Sequence, residues 1–104
     1  IGGAGQEVMR RDGTTLRLSG PVTLANVAQV LAEGLQQIRD GAQTIDLDEV
    51  TEVDSSLLAM LLAWLREAKR RKSEVVFANL PQGLETIAQL YGVDGLLPVA
   101  GAHR

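Results

Sequence analysis

The sequence contains no cysteine. That excludes disulfides and thiolate metal sites, and it fits a reducing compartment. Aromatic residues are almost as scarce: Trp64, Phe77 and Tyr91 stand alone, so leucine, valine, isoleucine and alanine must supply any core. Histidine is limited to His103, next to last in the chain, where a catalytic role is not expected. No long apolar run is present either. The longest, residues 57–65, is about half of the roughly 20 residues that a membrane-spanning helix needs. No basic segment followed by an apolar one opens the chain, so a signal peptide is not expected. The opening Ile1-Gly2-Gly3-Ala4-Gly5 reads as an expression scar, residues 6–100 as one domain and residues 101–104 as a tail.

What is present suits one compact unit. The 104 residues, 45% of them apolar, are enough for a single core and too few for two. The net charge of −3 argues against broad nucleic-acid binding, which needs a basic face. The charges are segregated. Asp46, Asp48, Glu49, Glu52 and Asp54 form an acidic stretch that reads as a solvated loop, with spacing unlike a calcium loop. Arg66, Lys69, Arg70, Arg71 and Lys72 form a basic one. Glycine-rich phosphate loops, metal clusters and nucleophile elbows are absent, so neither catalytic residues, a metal nor a cofactor is expected.

Periodicity predicts the order β-β-α-β-α-β-α. Two short strands, at residues 8–10 and 15–19, flank a turn signal at Asp12-Gly13. A helix over residues 24–38 carries Leu24, Val27, Ala28, Leu31, Leu35 and Ile38 on one face, with Thr23 as its N-cap and Asp40-Gly41 as its stop. A strand at residues 44–47 and the acidic loop lead into the longest helix, residues 56–71, whose basic end suits the negative end of the helix dipole. A strand at residues 74–78, with Val75, Val76 and Phe77 buried on both faces, precedes a last helix over residues 81–90. Alternating strands and helices imply parallel neighbours, and therefore an α/β fold with a mixed sheet of about four strands and helices packed on it.

The segment Val53-Asp54-Ser55-Ser56-Leu57-Leu58 enters the long helix. Aspartate and serine there cap unpaired amides of the first turn. A hydroxyl at a helix N-terminus is equally a phosphorylation position. A phosphoryl group would add about −1.5 to −2 charges, which the amides and the dipole would accept and Asp54 would oppose.

Asp54-Ser55-Ser56-x-Leu58, after a strand and before a leucine-rich helix, resembles the D-S-S-G-L signature of STAS domains. The element pattern from Val8 to Pro98 is similar to that SpoIIAA-like fold. Two branches of the family compete. Anti-sigma-factor antagonists are switched off by a kinase that phosphorylates the residue matching Ser55. The other branch holds the STAS subunits of Mla-type ABC transporters, which maintain outer-membrane lipid asymmetry in Gram-negative bacteria. The resemblance to the second is longer. It includes the leucine-rich helix, the basic stretch to Lys72, the segment from Glu85 to Val93 and Leu96-Leu97-Pro98. It implies a non-enzymatic, cytoplasmic subunit, peripheral to the inner membrane. Its partner would be an MlaF-like ATPase, in a complex with permease and substrate-binding subunits. The antagonist signature has glycine where this chain has Leu57, a side chain expected to crowd a kinase or anti-sigma partner. Other STAS relatives bind nucleotides or lipids, but nothing in this sequence specifies such a ligand.

The long helix carries more apolar surface than a sheet can use. At 100° per residue Leu58, Leu61, Leu62 and Leu65 cluster on one side and are assigned to the core. Leu57, Met60 and Trp64 form a second stripe, which is either core against a neighbouring helix or a docking patch. With Asp54, Ser55 and Ser56, that stripe is the expected partner-binding surface, since tryptophan is a frequent interface anchor.

Overall fold

The computed structural model describes residues 8–99. The elements are β1 (Met9–Asp12), β2 (Thr15–Val22), α1 (Val27–Arg39), β3 (Thr44–Val53), α2 (Ser55–Arg70), β4 (Val76–Ala78) and α3 (Gln82–Leu90), followed by a short 3₁₀ turn, Asp94–Leu96. Residues 1–5, the tail 101–104 and His103 lie outside the described residues.

The strands form one mixed sheet in the order β1-β2-β3-β4. The hairpin β1–β2 is antiparallel, and the pairs β2–β3 and β3–β4 are parallel. Alternation along the strands separates two faces. Leu16 and Leu18 on β2, Ile45 and Leu47 on β3 and Phe77 on β4 are buried on one face. The helices pack on that face and on one another, and Val30, Ile38, Leu84 and Ala88 join the same core cluster. The opposite face is polar. There Arg17 on β2 pairs with Asp46 on β3 at 2.7 Å, and Asn79 donates to the same carboxylate at 3.0 Å. The domain is therefore a two-layer α/β structure, with the mixed four-stranded sheet that the sequence leads one to expect. Among the described residues no helix is long and apolar enough to cross a membrane.

Three expectations change. The acidic stretch is strand rather than loop as far as Val53: β3 runs past Leu47 and pairs its second half with Ser19, Gly20, Pro21 and Val22 across two register shifts. Acidic residues disfavour strands, but pairing with a neighbour outweighs that preference while the side chains of Asp48, Glu49 and Glu52 stay in solvent. Helix α1 begins at Val27, three residues later than expected. Residues 23–26 form a turn instead, with the Asn26 and Val27 amides donating to the Thr23 carbonyl. Its buried line is Val30, Gly34 and Ile38, so Leu24 and Ala28 face solvent and do not belong to the core. Strand β4 starts at Val76; Val75 just before it and Phe77 are buried but Val76 only half so, because the second face has no covering layer.

Each helix ends the same way. After α1, α2 and α3 the chain turns left-handed at Gly41, Lys72 and Gly92, and the next amide reaches back to Gln37, Ala68 and Ala88 respectively. These are Schellman closures, in which glycine normally supplies the positive φ. At β4 the Phe77 amide donates to the Pro98 carbonyl at 2.8 Å, and Phe77 bridges Val99 in parallel, so residues after the last helix cover that edge of the sheet.

Candidate functional site at the head of the second helix

Asp54 caps α2 from an extended backbone. Its Oδ1 accepts the Ser56 amide at 2.8 Å, one of the donors that the first helical turn leaves open. Its Oδ2 accepts the amide of Leu24, thirty residues earlier, at 3.0 Å. One carboxylate thus ties the β2–α1 turn to the head of α2. The Leu24 amide above all holds its pKa below the ordinary carboxylate value; burial opposes this, and the Ser56 amide and hydroxyl and the Leu57 amide add to the lowering. Asp54 is therefore ionised at neutral pH.

The turn is itself pinned. The Asn26 side chain accepts the Thr23 amide at 3.0 Å and donates to the Pro21 carbonyl at 2.9 Å, and the Ala25 amide donates to the Thr23 hydroxyl at 3.3 Å. Held this way, Leu24 projects with 77% of its surface exposed. Ser55, the first helical residue, is exposed, and Ser56 is half-buried behind it. The result is a small rigid surface: an apolar side chain, a hydroxyl and a fixed negative charge at the positive end of a helix. Among the described residues no group of three or more His, Cys, Asp or Glu could hold a metal ion.

The apolar half of the expected docking surface is not there. Leu57, Met60 and Trp64 are fully buried. Helix α2 lies between α1 and α3 as well as over the sheet, so its buried arc is wider than a sheet alone would need and is turned toward this stripe. The Trp64 indole N–H donates to the Leu31 carbonyl of α1 at 3.1 Å, and its ring fills the space left by the missing side chain of Gly34. Conversely Leu62 and Leu65, assigned to the core, are only partly buried. Because Leu57 points inward, it does not crowd the helix end as its size would suggest. Leu24 was missed for a specific reason: it continues the apolar spacing of α1. The signal against it was Asn26, a residue type that starts helices more often than threonine does.

A four-stranded mixed sheet with three helices, and Asp-Ser-Ser at the head of its longest helix, defines a STAS-type domain. The chain matches the family described as "Mlab, STAS domain" over residues 6–98 and belongs to it. It is 33% identical over 81 residues to the intermembrane phospholipid transport system binding protein MlaB of Escherichia coli K12, covering 78% of this chain and 82% of that protein. It also resembles a chain of the Acinetobacter MlaFEDB complex in its ATP-bound Vtrans1 conformation, with TM-score 0.69 and 28% identity over 81% of this chain and 90% of that one. The unphosphorylated anti-sigma factor antagonist SpoIIAA shares the fold, with TM-score 0.66 and 21% identity over 88% of this chain and 85% of that one.

Proposed function

We propose that this chain is the STAS subunit of an Mla-type phospholipid-transport ABC complex. It carries out no chemistry itself. It docks on the cytoplasmic ATPase subunit, at the inner face of the inner membrane, and supports assembly and activity of the complex. The observation that carries this reading is the likeness to a chain of the ATP-bound MlaFEDB complex, with 90% of that chain covered. The contact surface is the one Asp54 organises. Leu24 supplies the apolar anchor, Ser55 and Ser56 the polar contacts, and Leu57, Met60 and Trp64 hold the helix from inside. Co-expression with the cognate ATPase and co-purification test it. Ser55→Arg and Leu24→Asp are expected to weaken binding at least tenfold, about 1.4 kcal/mol, while melting stays close to wild type. Unchanged binding in both variants would remove this surface from the interface.

A second reading is an anti-sigma-factor antagonist phosphorylated on Ser55. Its support is the exposed Ser55 at a helix end that Leu57 leaves open. It requires a phosphoryl mass shift on Ser55 after incubation with the anti-sigma kinases of the source organism, and no shift with any of them would discard it.

A further inference from the structure

The second half of α2 carries a surface that the Asp54 site does not use. Leu62, Leu65, Arg66 and Lys69 fall at i, i+3, i+4 and i+7, one stripe of the helix. Across from them lies Leu96, with 62% of its surface exposed. Between the stripe and the segment after α3 runs a groove of about 520 Å³, with Leu65, Ala68, Leu96 and Leu97 among its lining. A smaller recess bounded by Leu62, Arg66 and Lys69 continues it along the helix.

The charge around this groove is unbalanced. Arg39 and Arg70 share the carboxylate of Glu67 at 3.2 and 3.0 Å, which satisfies those three groups. Arg66 and Lys69, which line the two recesses, make no ion pair among the described residues. Glu74 is the one carboxylate in the lining of the larger groove.

From this we infer that the groove is a second docking site, and that it takes an acidic, leucine-bearing helical segment of a partner protein. Helices seat in grooves through apolar anchors at i, i+3, i+4 and i+7, the spacing that Leu62 and Leu65 offer in return. Acidic residues flanking those anchors would meet the unpaired cations and set orientation and encounter rate. A flat anionic lipid surface fits less well, because Leu62 and Leu65 are half-buried in a cleft rather than projecting from it. The site is distinct from the surface at Ser55, so the two interfaces can fail separately.

The test places a photoreactive benzoylphenylalanine at Leu96 in the full chain, produced in its own cells, with the cross-linked peptide sequenced by mass spectrometry. The expected adduct is a protein segment with leucines and acidic residues at helical spacing. Its yield should fall at least tenfold in the Arg66→Glu/Lys69→Glu variant, at a temperature where circular dichroism shows that variant folded. Adducts to phospholipid, to a second copy of this chain or to a segment without acidic residues would overturn the inference. So would the absence of any adduct, or a yield indifferent to charge reversal.

Discussion

Gly34 and Trp64 are a matched pair across the α1–α2 contact. A β-carbon at position 34 would sit inside the indole ring, and α1 could not keep its approach. Gly34→Ala is expected to cost about 1–3 kcal/mol through overpacking, and Trp64→Ala about 3–5 kcal/mol through the cavity it leaves. Urea denaturation followed by circular dichroism measures both. Loss of partner binding in Trp64→Ala would therefore report a weakened fold, and Leu24→Asp is the cleaner probe. Asp54 carries a pH prediction. Its pKa is lowered in the folded state, so its stabilisation is complete above the ordinary carboxylate range and is lost as pH falls through the lowered value. Asp54→Ala should lower stability at neutral pH and narrow its gap to wild type in acid, below about pH 4. A gap that stays constant from neutral pH into acid would contradict this. Much of this scale was legible in the sequence: the Asp54 cap and the accessible Ser55 are both as read. The stripe of Leu57, Met60 and Trp64 was not. Helical spacing tells which residues share a face, but not how many neighbours compete to cover that face.

At the scale of elements, the three helix ends separate by residue type. Gly41 and Gly92 adopt their left-handed turns at little cost, whereas Lys72 holds φ 57 with a full side chain. Lys72→Gly is expected to stabilise the domain by about 1 kcal/mol, read as a higher melting temperature. The order and type of every main element follow from periodicity, because each strand and helix places its apolar residues toward one layer. Boundaries follow less well. The extent of β3 depends on pairing with Ser19, Gly20, Pro21 and Val22, a long-range fact that acidic side chains conceal. The start of α1 depends on which of two polar residues closes the turn, and Asn26 does so through the Pro21 carbonyl.

Across the whole molecule, one ion cluster joins the two longest helices. Glu67 is the one charged residue buried among the described residues, and its pKa is lowered by Arg70 first and Arg39 next. Glu67→Gln is expected to reduce stability at neutral pH, with the difference from wild type shrinking as acid protonates the native carboxylate. A pH series of melting curves checks it. The fold as a class was readable from the alternation of strands and helices together with Asp54-Ser55-Ser56. The groove beside Leu96 was not, because it forms between α2 and a segment that packs there only after α3 has been placed.

The hydrogen bond from Phe77 to Pro98 also bears on how the domain can be handled. An unshielded strand border invites pairing with other molecules. A version ending at Val93 would bare the β4 amides and is expected to self-associate, visible as higher-mass species in light scattering. A purification handle is better attached ahead of β1, where it does not pull on this natural seal.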